Sequence, residues 1–367
     1  MKKNAYIGLD VHKETIAVAV AEDGISKEIL FLGNISNAPH CISKMIRKIE
    51  DKHNILEVVY EAGPCGYGIY HQLQSMNIPC TVVSPAHIFK RPTDRIKNDR
   101  RDAIALARLA RAGELTKVWV PDKRHEAMRD LVRARQVFSR DLKMSRQRIL
   151  SFLLKYDRKY DKKNWTVRHG LWLANQKFDH TAQQISFQNY INAMEQIKTR
   201  RGEIEQQIRD LLPEWQLGPL VEALQALRGV ALIIAVNTIA EIGDLRRFSN
   251  PKQLMAFLGL IPGEHSSGAT IRQRGITKTG NSGLRSLIYE AAWSYKTTPK
   301  IGAHMVLKAP DVSQAIKDIA WKAQLRLNKR YKKLVSQGKK SQVAITAVAR
   351  ELVGFMWAIA NEVKIAA

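Results

Sequence analysis

This sequence is short of cysteine, of long apolar runs and, relative to its basic residues, of acidic side chains. Its three cysteines, Cys41, Cys65 and Cys80, are odd in number and lack metal-ligand spacing. That argues against a disulfide scaffold or a thiolate zinc site and leaves reduced thiols. No apolar run reaches the roughly 18 residues a bilayer span needs; the longest candidate, Val230 to Val236, is cut by Asn237 and Glu241. No basic-then-apolar leader opens the chain, so a cytoplasmic protein with no membrane partner is expected. Aspartate and glutamate number 34 against 59 lysine and arginine, a formal charge of +25. An excess of that size calls for a polyanionic partner, because basic side chains displace counterions from a phosphate backbone. With 367 residues, the chain has room for two or three domains.

Residues 1–118 read as an α/β domain. The apolar run Ala5 to Leu9 ends abruptly in Asp10, as a buried strand ends at a sheet edge. Two more strands follow, Thr15 to Val20 and Glu28 to Leu32, joined through the turn dipeptide Asp23-Gly24. A helix from Ala38 to Asp51 carries Ile42, Met45, Ile46 and Ile49 at helical spacing. The strand Leu56 to Tyr60 then ends in Glu61. A helix from Tyr67 to Met76, a strand from Cys80 to Val83 and a helix from Asn98 to Ala112 complete the order βββαβαβα, which is that of the ribonuclease H-like fold.

In that order the acids form a pattern. The first and fourth strands lie side by side, which brings Asp10 next to Glu61, and Asp99 and Asp102 share one helix face. Singly, each has an ordinary explanation: a strand-ending turn acceptor, or acids favoured by a helix N-terminus. Together, four converging carboxylates repel unless cations hold them, and hard oxygen ligands suit Mg²⁺, with Mn²⁺ as a substitute.

Three stretches carry a resemblance: Tyr6-Ile7-Gly8-Leu9-Asp10-Val11-His12-Lys13, Tyr60-Glu61-Ala62-Gly63-Pro64-Cys65-Gly66-Tyr67 and Lys97-Asn98-Asp99-Arg100-Arg101-Asp102-Ala103. They resemble the blocks of the RuvC-like DEDD domain of the IS-one-ten family, insertion-sequence transposases related to Piv-type DNA invertases. The resemblance implies that Asp10, Glu61, Asp99 and Asp102 are catalytic metal ligands. His12 and Lys13 lie in the same block and read as phosphate-facing or simply exposed.

Residues 119–216 shift to long polar helices, one from Arg124 to about Lys159 and one from Ala182 to Leu212. The second has a seam, Phe187, Tyr190, Met194, Ile197, Arg201, Ile204, Ile208 and Leu211, at heptad spacing. A coiled-coil dimer and a hairpin buried within one chain both fit it. The basic residues of the first helix, Arg133, Arg135, Arg140, Lys143, Arg146 and Arg148, read as a solvated face with nucleic-acid contact as a second use. Asp157 to Trp165 reads as a polar loop with an anchoring Trp or as a basic-aromatic stacking segment.

Residues 217–367 read as a mainly helical domain. A short helix ending near Leu227, a turn at Gly229 and a helix to Ile242 suit either an ordinary hairpin or a helix-hairpin-helix grip on DNA backbone. A further helix follows Asn250-Pro251 and runs through Leu258. The resemblance resumes in Gly259 to Gly268, Gly275 to Asn281 and Leu284-Arg285, which look like the family's serine-bearing block. Ser267, directly before Gly268, is the preferred nucleophile and Ser266 the alternative. A serine that attacks phosphorus conserves the phosphodiester energy in a covalent link. Arg272, Arg274, Lys278 and Arg285 could neutralise phosphate, as could Lys13 and the basic stretch Trp321 to Lys340, read as two helical segments containing Lys329, Arg330, Lys332 and Lys333.

The resemblance implies a bacterial, nucleoid-associated recombinase. Its partners would be DNA (element ends or junction, and target) and a structured noncoding guide, or bridge, RNA. It also implies a homo-oligomer, a dimer or tetramer. Two rivals stand beside it: a metal-dependent nuclease in which water is the nucleophile, and a nucleic-acid-binding protein whose acidic cluster is inert.

Overall fold

A computed structural model describes residues 2–24, 28–85, 98–264, 273–302 and 309–364. The chain divides into two compact units, Met1–Val120 and Pro121–Ala367.

The first unit is a five-stranded sheet in the order β3-β2-β1-β4-β5. Its strands are β1 (Lys3–Val11), β2 (Thr15–Glu22), β3 (Ile29–Ser36), β4 (His53–Glu61) and β5 (Cys80–Val83). β1, β2 and β3 pair antiparallel, and β4 and β5 continue the sheet in parallel with β1. The strand and helix order is the one expected, although β2, β3 and β4 are longer than the periodicity marks.

Side-chain size along the strands decides which helices cover which face. On β2 the large residues Ile16, Val18 and Val20 pack with Ile42, Met45, Ile46 and Ile49 of α1 (Pro39–Glu50) and with Ile69 and Leu73 of α2 (Gly68–Ser75). The alternate residues Ala17, Ala19 and Ala21 meet Ala103 and Ala107 of α3 (Asp99–Ala112). Period-two alternation therefore gives one deep face and one shallow face. Ile7 and Leu9 of β1 belong to the deep face, so Gly8 and Asp10 belong to the shallow one. A Cβ on Gly8 would collide with the Ala103 carbonyl and the Ala107 amide, so glycine is what lets α3 lie directly on β1.

Among its described residues, the second unit is helical except for a small antiparallel pair, β6 (Pro262–Glu264) and β7 (Gln273–Ile276). α4 (Lys123–Lys155) and α6 (Thr181–Leu211) form a hairpin. Leu142, Ile149 and Leu153 of α4 share a buried cluster with Phe187 and Met194 of α6. The heptad seam is thus filled from within the chain, apart from Tyr190 and Leu211, which remain 38% and 40% exposed. Arg201, the charged intrusion, lies 3.5 Å from Glu205, which also accepts from Arg135 at 2.9 Å.

A short helix, α5 (Val167–Ala174), follows the Asp157 to Trp165 loop. Its His169 is fully buried among Tyr160, Trp165 and Trp172, and Arg146 lies 4.9 Å over the Trp165 ring. Trp165 is therefore an anchor within this cluster rather than a free stacking platform.

α7 (Gly218–Leu224) and α8 (Leu232–Ile242) form the expected helical pair. A Cβ at their turn residue Gly229 would meet the Ala291 carbonyl of α10 (Ser282–Ala292). The glycine serves close packing there, which favours the ordinary hairpin. α9 (Pro251–Phe257) is capped by the Asn250 side chain, which accepts from the Gln253 amide at 3.1 Å.

Two expectations are corrected at the C-terminal end. The basic stretch lies on one continuous helix, α11 (Gln314–Ser336), with Lys339 and Lys340 in the turn beyond it. Among the described residues, the helix long and apolar enough to meet the bilayer length criterion is α12 (Ser341–Glu362), in which an 18-residue window reaches a mean hydropathy of 1.6. Half of that window is buried, and Ile345, Val348, Leu352, Val353, Met356 and Ile359 lie in the core of the second unit. Its composition is that of a core helix, which the length criterion alone cannot tell from a membrane span.

Candidate metal centre

The first candidate side chain follows from strand alternation. Asp10, near the end of β1, points to the shallow face and is one-sixth exposed, at 16%. Leu9 pairs with Tyr60, so Asp10 and Glu61 come next on adjacent parallel strands, which run about 4.8 Å apart. Val59 packs with Leu106 and Ala110 of α3; two residues on, Glu61 shares that face and is half-buried.

The helix brings the other acids. Asn98 caps α3, its side chain accepting from the Arg101 amide at 2.9 Å. That cap starts the helix at Asp99, and the spacing of three places Asp102 on the same side. Because Gly8 allows α3 to sit low over β1, the first turn of the helix lands beside Asp10.

The resulting cluster contains a nitrogen. The His12 Nε2 lies 3.3 Å from Asp10 Oδ2 and 3.4 Å from Asp99 Oδ1, and one ligand atom from each of the three residues lies within 4.8 Å of the others. Burial raises the Asp10 carboxyl above its ordinary value. His12 opposes that rise, and the charges of Asp102 and Asp99 add to it. The site is therefore short of positive charge, and its donor set of carboxylate oxygens and one imidazole nitrogen fits a divalent cation. Asp10, Asp99 and Asp102 thus interact; Glu61 is set beside them by strand register.

The remaining candidates are dispersed. Lys13 is 92% exposed and lies 3.2 Å from Glu14. Ser266, Ser267 and Arg272 lie outside the described residues, in the stretch that joins β6 to β7. Arg274 and Lys278 are exposed. Arg285 has a structural task, donating to the carbonyls of Leu258, at 3.2 Å, and Thr279. Lys329, Lys332 and Lys333 are exposed on α11, while Arg330 lies 3.3 Å from Glu351, which also pairs with Arg326 at 2.9 Å. Arg133 on α4 is likewise committed, gripping Glu241 through two contacts of 2.8 Å.

Two contributors were not singled out by motif reading. His12 reads from its motif as exposed or phosphate-facing, and it is 55% exposed; what the motif does not give is that its Nε2 also faces the acids. Gly8 is the other, and its signal is the run of alanines at 17, 19 and 21 on the neighbouring strand. The Cys80 thiol, half-buried and near Glu57, is pushed up to about 12 by desolvation and by that carboxylate.

Two family profiles match the chain. One, a transposase profile of the DEDD type, covers residues 7–157 and so spans all four acids; the other, described as transposase IS116/IS110/IS902 family, covers residues 221–305. A protein of Sinorhizobium fredii named as a transposase, y4qE, is 48% identical over 99% of this chain and 90% of its own length. The transposase for insertion sequence element IS1533 of Leptospira borgpetersenii is 32% identical over 93% of this chain and 99% of its own. The transposase for IS1111A of Coxiella burnetii is 25% identical over 80% of this chain and 78% of its own. These matches define a transposase, an enzyme class that binds, cuts and rejoins DNA. The chain belongs to the IS116/IS110/IS902 family of insertion-sequence transposases.

Proposed function

We propose that the chain recombines DNA by covalent serine catalysis at a divalent-metal site of a RuvC-like domain. Residues 1–118 form that domain, 119–216 an assembly region and 217–367 the serine-bearing domain. The observation that carries the reading is the meeting of Asp10 and Asp99, with Asp102 close enough to act on Asp10 through its charge. The antiparallel β1-β2-β3 meander continued by parallel β4 and β5 supports the ribonuclease H-like assignment.

Asp10, Glu61, Asp99 and Asp102 would hold Mg²⁺, or Mn²⁺ in its place. The bound cation supplies Lewis acidity towards phosphoryl oxygens. Ser267, or Ser266, attacks phosphorus through Oγ. One Oγ–P bond forms as one P–O bond of the DNA breaks, and the departing strand oxygen takes up a proton. Attack by a strand hydroxyl on the phosphoserine reverses these steps and restores the serine, so no outside energy source is needed. Arg272, Arg274 and Lys278 lie near the serines in sequence and would neutralise the phosphate. The net charge of +25 and the exposed lysines of α11 support a second nucleic acid, a guide RNA transcribed from the element. Action on two DNAs calls for a dimer or tetramer, in the cytoplasm at the nucleoid.

The test traps the protein on end-labelled DNA carrying the element junction and target, with its flanking RNA and Mg²⁺. A denaturation-resistant adduct mapped to Ser266 or Ser267, and lost in Asp10→Ala, is the expected result. Free ends without an adduct would move the assignment to a nuclease that uses water. Tight binding without any cleavage would leave a binding protein.

A further inference from the structure

The imidazole of His12 stands where the four-carboxylate reading places no ligand. Its backbone is held from both sides: the His12 amide donates to the Thr15 carbonyl at 2.9 Å, and the Asn37 side-chain amide donates to the His12 carbonyl at 2.8 Å. The turn between β1 and β2 is therefore fixed, and the strand period sends His12 to the face that carries Asp10. One nitrogen, Nε2, faces both carboxylates, at 3.3 Å and 3.4 Å. A hydrogen bond to a single acid would need only one of these approaches. A nitrogen between two carboxylate oxygens, all within 4.8 Å of one another, is instead the donor arrangement of a mixed nitrogen-oxygen cation site.

We propose that His12 is a metal ligand, giving Nε2 to a divalent cation shared with Asp10 and Asp99, and that it tilts the site from Mg²⁺ towards Mn²⁺. This rests on the metal-site reading above and changes its ligand set. Mg²⁺ is a hard ion that favours oxygen donors and keeps its waters, whereas imidazole suits transition ions. Exchanging one oxygen ligand for nitrogen therefore weakens Mg²⁺ relative to Mn²⁺.

The experiment loads the full, tag-free chain with Mn²⁺, alone and with excess duplex DNA whose phosphates can complete the coordination. It reads binding by continuous-wave electron paramagnetic resonance and directly bonded nitrogen by electron spin echo modulation. Nitrogen modulation is expected in the parent chain. It should vanish in His12→Ala, with Mn²⁺ affinity falling roughly tenfold, while Mg²⁺ affinity, read by competition, falls less. His12→Asp should recover binding without nitrogen and narrow the preference for Mn²⁺. Circular dichroism and a matched melting temperature establish that the variants are folded. Mn²⁺ bound in an Asp10-dependent way with no nitrogen modulation would overturn the role of His12 and leave the carboxylate site standing. Modulation that survives in His12→Ala would also overturn it. No Asp10-dependent Mn²⁺ binding, with or without DNA, would remove both the site and this inference.

Discussion

Gly8 sets the distance between a sheet and a helix, and through it the meeting of Asp10 with Asp99. A methyl group there meets the backbone of α3 at Ala103 and Ala107 and the Leu106 Cβ, so the helix must lift and carry its first-turn acids away. Gly8→Ala should cost about 1–3 kcal/mol in urea unfolding, the usual penalty for overpacking, and should abolish Asp10-dependent metal binding in the fraction that folds. Gly170 in α5 is the contrasting position, where an added Cβ meets nothing within 4 Å. Gly170→Ala should be neutral or stabilising by up to about 1 kcal/mol, because it improves helix propensity. Equal losses in both variants would show that Gly8 has no special packing role.

At the scale of elements, the α4 N-terminus is tied to α8 by a buried histidine. Asp122 caps α4, accepting from the His125 amide at 2.8 Å, and the His125 Nε2 donates to the Ala240 carbonyl at 2.9 Å. Burial holds the His125 imidazole below its ordinary value, partly offset by that carbonyl. The His169 imidazole is lowered by burial as well. For a histidine lowered on folding, the unfolded chain binds the proton first as pH falls. Stability is then highest above the unfolded value, near 6.5, and declines below it. The melting temperature should fall between pH 7.5 and 5.5, above the range where most carboxylates titrate. His125→Gln keeps a donor for Ala240 and should flatten that fall in part, His169 supplying the rest. An unchanged slope would show that His125 is not the titrating group.

The whole molecule carries its positive charge unevenly in use. Arg133, Arg135, Arg326 and Arg330 pair with glutamates inside the second unit, whereas Lys329, Lys332 and Lys333 are exposed on α11. Each lysine that neutralises a duplex phosphate adds about 0.9 to the slope of log affinity against log salt. Replacing these three with alanine should therefore reduce the slope for duplex DNA by about two to three, measured by fluorescence anisotropy across a salt series. Arg326→Ala should change it less and destabilise the α11–α12 pair instead. An unaltered slope in the triple variant would place the nucleic acid on another surface.

The order of strands and helices in the first unit is legible in the amino acids alone, because strand alternation, helical spacing and caps such as Asn98 are local signals. The amino acids also mark Asp10, Glu61, Asp99 and Asp102 as candidates, since each stands at the end of a strand or the start of a helix. What fills the α6 seam depends on how the folded helices pack. Heptad spacing specifies an apolar stripe and is blind to its partner, which proved to be α4 of the same chain. The same holds for α12, whose composition fits a lipid or a protein interior until its neighbours are known. His12 shows the limit most clearly: alternation gives the face it points to, while its approach to Asp99, 87 residues further along the chain, depends on how closely α3 packs against β1.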